Sequence, residues 1–313
     1  MNLPSSLYII GNGFDRHHDV PSDYRDFGRY LAAVDRDTYR EVEAYFNVDD
    51  EFWWQFEQQL ANFDTDAAID YASQFLMSYG ADDWSDSGHH DYQYELDRVV
   101  KAISKTLQER FAQWVRQIPI PSLSSCNTGP LPLDPNALYL NFNYTQTLQW
   151  TYGIPNGQIV HIHGKACDPT DRLILGHGWE RTASDSLNHG VDMSEADIRV
   201  LEGNVIVDDY FTATFKPTAQ IIAHNQNFFS NLRAIRQIYV MGHSLAEVDA
   251  PYFAEIIKNI DSSSVRWMIS YHHNPTVAQA KFSKFGIDMS LAGFATLDAP
   301  RLWIPQFLLH HCR

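Results

Sequence analysis

The chain has 313 residues, of which 44% are hydrophobic, 13% aromatic and 20% charged. That length predicts one large domain or two closely joined ones with a substantial core, and the composition excludes disorder along the whole chain. The formal net charge of −16 repels phosphate backbones and anionic membrane surfaces, and no Lys/Arg-rich run offsets it, so neither general nucleic-acid binding nor membrane binding is expected.

The first apolar run, Leu7–Ile10, is short and stops at Gly11, which predicts a buried strand. Gly11-Asn12-Gly13-Phe14-Asp15 follows, and the chain returns through Val20-Pro21 into a helix predicted from Ser22, its N-cap, to about Leu31. Glycines after a strand let backbone N–H groups approach a phosphate. A tight turn explains the same glycines. Arg25, on the predicted helix, is a residue type that reaches phosphate or carboxylate, and a surface salt bridge is its plain alternative. His17 and His18 fall in the middle of the loop and receive no role.

From about Thr38 to Arg116 the chain reads as helical. Phe52, Phe56, Leu60 and Phe63 form one apolar stripe, and Leu96, Val99, Val100, Ile103, Leu107, Phe111 and Trp114 form a second. Trp53 and Trp54 are expected in the core. Glu57 lies in a strongly apolar segment, where a buried carboxylate needs a partner: the site or a basic group. The connector "GADDWSDSGHHDYQ" reads as a polar loop, and the prolines of "IPIPSLSSCNTGPLPLDP" end the helical block. Cys126, Cys167 and Cys312 are far apart with no CxxC pair, which excludes a cysteine zinc ribbon and fits a reducing cytoplasm. No secretory leader is expected from "MNLPSSLYIIGNG", and no stretch approaches the ~20 apolar residues of a spanning helix.

The second half alternates short apolar runs, "ALYLNFNY", "QIVHIHG", "RLILG", "QIYVMGHS" and "RWMISYH", with helix-like pieces at 144–152, 223–234, 249–260 and 275–285. This predicts an α/β fold with a doubly wound parallel sheet, formed by residues 1–36 and 134–313, and a large α-helical insertion at 37–133. Ligands of such sheets bind at the carboxyl ends of the strands. The residues there are Gly11 to Asp15, Asn143 and Tyr144, His161 and His163, and Gly242, His243 and Ser244. Asn143 is suited to a ribose hydroxyl or a water, or else caps the next helix. His161 and His163 are expected on one face of a strand. A metal pair lacks an evident third ligand, and His163 alone suits a general base or a buried, hydrogen-bonded histidine. Ser244 is expected to cap the next helix, with Asp249 in its first turns, and the absence of GxSxG disfavours a serine hydrolase.

Together these motifs resemble the AbiH family of bacterial phage-defence proteins. The resemblance rests on Gly11–Asp15 with Val20–Phe27, Trp54–Glu57, Phe142–Thr145, Ile162–Gly164, and Gly242–Leu245 with Asp249. A more distant resemblance is to Rossmann-like, sirtuin-like NAD-binding domains. Pro21 to Arg25 looks like their Pro-Asp-Phe-Arg stretch with one residue added, Asn143-Tyr144 like their Asn-Tyr-Asp motif with Thr145 in place of the aspartate, and His163-Gly164 like their catalytic His-Gly. The missing zinc ribbon argues against a protein deacylase.

The resemblance implies a phage-defence enzyme that cleaves the nicotinamide–ribose bond of NAD, with Asn143 and His163 catalytic. Gly11, Asn12, Gly13, Phe14, Asp15, Arg25, Tyr144, Gly242, His243 and Ser244 would bind the nucleotide, and no metal is implied. A non-catalytic nucleotide sensor is the alternative, and a metal-dependent nuclease using His161, His163 and acids a third. The expected ligand is NAD or another small nucleotide. A homo-oligomer and a phage-derived or protein activator stay open.

Overall fold

The computed structural model describes residues 4–79, 88–167, 173–299 and Trp303; Cys312 and part of the polar connector lie outside these. The chain forms two compact units. The sheet unit comprises Met1–Asp23, Val115–Ile174 and Pro217–Arg313, and the helical unit comprises Tyr24–Trp114 and Leu175–Lys216.

The sheet unit is built on β1 (Ser6–Ile10), β2 (Leu138–Asn141), β3 (Ile159–His161), β4 (Gln237–Met241), β5 (Arg266–Ser270) and β6 (Ala292–Ala295). All pairings are parallel, in the order β3-β2-β1-β4-β5-β6. This is the α/β doubly wound arrangement expected. Parallel strands are covered on both faces, so β1 is buried at every position. Alternation sends Leu7, Ile9, Ile238 and Val240 to one face, under Phe253, Ile256 and Phe282. Tyr8, Ile10, Tyr139, Tyr239 and Met241 go to the other, with Phe14, Leu148 and Trp303. Tyr8 is in register with both Tyr139 and Tyr239. Their rings stack at 5.0 and 4.7 Å and tie the three central strands together.

Two strand expectations change. Residues 173–176 of "RLILG" are not a strand; Leu175 there is simply buried. The sequence offers no signal for β6, because "AGFA" is made largely of residue types depleted in strands. It forms through its ladder with β5, where Gly293 lies against Met268.

The helical unit does not divide from the sheet at the expected residues. Residues 24–36 and 175–216 group with the helices, and 115–133 with the sheet. The reason for the first is Phe27, on the helix Tyr24–Val34. Its ring packs on Trp53, Phe56, Phe111 and Trp114 at 6.0, 5.7, 5.3 and 5.5 Å. The reason for the second is the helix Ile198–Ala213, which packs on Asp91–Lys101 through Gly203. No stripe announces that helix, since Ile198 and Val205 are exposed while Leu201, Val207 and Tyr210 are buried.

Both predicted apolar stripes are buried, although the first lies on a broken helix, Asp50–Trp54 then Phe56–Gln59. Trp53 is core, but Trp54 is exposed, beneath the Arg25 guanidinium at 5.8 Å from its ring. Glu57 finds the basic partner its setting requires. Its carboxylate pairs with the fully buried Lys216 ammonium and accepts from the Tyr24 hydroxyl at 2.6 Å.

In the sheet unit, the turns after β1 and β4 touch backbone to backbone. Gly11 N–H donates to Met241 O at 3.0 Å and Gly13 N–H to Gly242 O at 2.7 Å. A Cβ on Gly11 would lie 2.5 Å from His243 Cα, and one on Gly242, whose φ is +68°, would lie 1.9 Å from Phe14 N. Gly242→Ala is therefore expected to destabilise by about 3 kcal/mol or more, through left-handed strain plus overlap. Gly157→Ala, whose added Cβ meets nothing within 4 Å, should leave stability within about 0.5 kcal/mol, and chemical denaturation of both variants checks the contrast.

Candidate functional site

The strand order reverses between β1 and β4, and the polar side chains of the sheet unit gather at the carboxyl ends around that point. They form two groups, one on Asp15 and one on Asp249.

Gly11 extends from β1, and the helix α1 (Asn12–His17) begins at the next residue instead of an open loop. Asn12 and Ser22 exchange hydrogen bonds: the Asn12 amide donates to Ser22 O at 3.0 Å and the Ser22 hydroxyl donates back to Asn12 Oδ1. Ser22 is thus a latch rather than a cap, and the next helix starts at Tyr24. Asp15 lies on α1 at 1% exposure. Its Oδ2 accepts from the Thr145 hydroxyl, while Oδ1 is buried with no hydrogen-bond partner among the described residues. Burial pushes the carboxyl up to about 6, against the opposing pull of Thr145, Thr147 and Asn143.

Asn143 follows β2. Its side-chain amide donates to Gly11 O at 3.1 Å, and its N–H donates to Asn141 Oδ1 at 3.0 Å. The helix Thr147–Tyr152 starts too far on for Asn143 to cap it. β3 ends at His161, so the two histidines expected on one strand face part company. His161 engages Asn143 O at 3.1 Å through Nδ1 and the Gln149 amide at 2.9 Å through Nε2. His163 is buried elsewhere, with the rings of Phe142 and Tyr144 at 5.3 and 6.2 Å. Among the described residues no three His, Cys, Asp or Glu side chains are grouped to hold a metal.

The second group surrounds Asp249, at the end of the turn Glu247–Asp249 ahead of the helix Ala250–Asn259. His243 Nε2 lies 3.3 Å from Asp249 Oδ2, and His163 Nε2 lies 3.9 Å from Asp249 Oδ1. The Phe142 ring edges against both imidazoles, at 4.4 Å from His243.

The other expected site residues are placed as follows. Phe14 is fully buried, with its ring against His18 and Tyr152 at 4.4 and 5.8 Å. The Tyr144 hydroxyl donates to Ile174 O at 2.7 Å. Gly242 N–H donates to Ser270 Oγ at 2.7 Å. Ser244 is exposed and caps no helix, since the next turn opens at Ala246; its carbonyl accepts from Lys281 at 2.9 Å. Arg25 belongs to the helical unit. His18 is fully buried and donates from Nδ1 to Phe14 O at 2.7 Å, and burial holds it neutral, down at about 4. Sequence reasoning missed Thr147 as a partner of Asp15, and although it placed Asp249 at a helix start and among the residues of the AbiH resemblance, it did not pair Asp249 with His243 or His163. The signal that could have paired them was the spacing of Asp249 six residues after His243.

The Asp15 shift carries a pH dependence. The carboxyl ionises near 3.8 in the unfolded chain and near 6 in the folded one. Below about pH 4 it contributes nothing; above that the unfolded chain ionises first, and by about pH 7 the fold carries the full penalty, about 3 kcal/mol. Asp15→Asn keeps an acceptor for Thr145 and removes the charge. Its melting temperature relative to wild type should rise between pH 4 and pH 7.5, and a gap that stays flat with pH would count against a buried, proton-retaining carboxyl.

The model of one family, "Bacteriophage abortive infection AbiH", matches residues 7–271, which spans both groups and most of the chain. No curated protein and no solved structure matches.

Proposed function

The chain belongs to the AbiH family of bacteriophage abortive infection proteins, and we propose that it acts by cleaving the nicotinamide–ribose bond of NAD. The observation that supports this reading is that Asp15, Asn143 and His163 follow the carboxyl ends of β1, β2 and β3, the end of the sheet at which folds of this strand order take nucleotides. Thr145, which stands where the sirtuin-like motif has an aspartate, supports it further. Its hydroxyl donates to Asp15, so a carboxyl from α1 lies beside that position.

In the proposed reaction a water oxygen bonds to C1′ of the ribose as the C1′–N bond breaks, with its electron pair leaving on the nicotinamide nitrogen. Asn143 orients the water. His163 takes its proton and passes it to solvent. Asp15 Oδ1, which has no donor among the described residues, accepts from a ribose hydroxyl and faces the positive charge that develops on the ring. The products are nicotinamide and ADP-ribose. Gly11 and Gly13 already donate their N–H groups to β4 and its turn, so their part is to seat α1 rather than to hold the diphosphate.

Wild-type protein recovered from phage-infected cells should release nicotinamide from NAD. Asn143→Ala and His163→Ala should each lower that rate by about 100-fold or more while keeping a folded melting profile. Stabilisation by NAD without nicotinamide release would identify a nucleotide sensor and overturn the hydrolase.

A further inference from the structure

Asp249 and His243 offer more than another pair of polar residues at the strand ends. The side chains of His163, Asp249 and His243 are 3%, 11% and 3% exposed, and three titratable groups are costly to bury unless they satisfy one another. His243 Nδ1 accepts from Leu245 N–H at 3.0 Å. A neutral imidazole that accepts at Nδ1 carries its proton on Nε2, and that nitrogen faces Asp249 Oδ2 at 3.3 Å. Both nitrogens of His243 are therefore committed inside the protein, and neither remains for a nucleotide. The second oxygen of Asp249 faces His163 Nε2 at 3.9 Å, too long for a hydrogen bond yet within reach of an ion pair.

The backbone is shaped to hold this arrangement. Leu245, a non-glycine residue, has φ +53°, and the same N–H that bonds His243 belongs to this strained residue. Such strain persists only where the surroundings over-determine it. Asp249 also precedes the first turn of the helix Ala250–Asn259, whose dipole favours a negative charge there.

We infer that Asp249 is a positioning residue for His163, itself fixed by His243, and that the three side chains form an array which closes into an ion pair when His163 takes a proton. His243 is then a buttress, not a nucleotide contact. Among the described residues, the titratable groups facing His163 include Asp249, Tyr144 and Tyr252, with His243 beyond the carboxylate. The catalytic consequence rests on the hydrolase reading above; the array itself does not.

Two assays on the full chain separate them. In the first, Asp249→Asn should lower kcat for nicotinamide release by about 100-fold with KM within about 3-fold, Asp249→Glu should recover part of the loss, and His243→Gln should lower kcat by about 10-fold. In the second, nucleotide-free protein is titrated by NMR, with the His163 signal identified by its absence in His163→Gln. That imidazole should protonate at lower pH in Asp249→Asn than in wild type, because the facing negative charge is gone. An unchanged kcat in an active enzyme overturns the positioning role of Asp249, and an unchanged titration midpoint overturns the array. If wild type releases no nicotinamide, the hydrolase reading fails and the titration alone decides. If Asp249→Asn does not fold, His243→Gln carries both assays, and its lack of effect in both overturns the inference.

Discussion

The sheet unit depends on one close approach, that of the turn after β1 to the turn after β4. Three glycines meet there, and two N–H···O bonds of 2.7 and 3.0 Å join the turns. At a switch point the helices leave toward opposite faces of the sheet, so the two turns would ordinarily diverge. Holding them together starts α1 at once after Gly11, which drives Asp15 into the interior. It also fixes the start of the Gly242–Leu245 turn, from which His243 reaches Asp249. The contents of both polar groups follow from a contact that carries no chemistry of its own.

The two units bury charge in different ways. In the helical unit, Glu57 and Lys216 neutralise each other, with Tyr24 as a further donor. That is the expected settlement for a buried ion. In the sheet unit, Asp15 has a hydroxyl partner on one oxygen and, among the described residues, none on the other. A half-satisfied buried carboxyl weakens the fold, and such groups concentrate where a ligand completes the bonding. His18, by contrast, is neutral and committed to Phe14. Two buried residues of the same segment thus differ: His18 is a neutral, hydrogen-bonded imidazole, and Asp15 is a carboxyl raised to about 6 by burial. No helix of the described residues is long and apolar enough to cross a membrane.

Asp15, Asn143 and His163 are all buried. Their burial keeps solvent from the polar atoms at the strand ends, so the hydrogen bonds among them form in a low-dielectric setting. The strained Leu245, in the turn after β4, is held in its left-handed conformation by the packing and hydrogen bonding around it.

The sequence by itself determined the parallel sheet, because short apolar runs ending at Gly, His or Asn and separated by helical segments leave few other solutions. It also determined which strand ends carry polar groups, and the need of Glu57 for a partner. It was silent on β6, whose Ala-Gly-Phe-Ala composition reports nothing until a neighbouring strand supplies the ladder. It misplaced Trp54, since two adjacent tryptophans on a helix cannot share one face. Tertiary structure alone decided the bonding within the site. Thr145 and Asp15 are 130 residues apart in the chain, and their contact exists only because β1 and β2 are neighbours. His163 and Asp249 meet over Phe142 for the same kind of reason. Local patterning reports what a segment is; which distant segment completes its hydrogen bonds is fixed only when the strands are ordered.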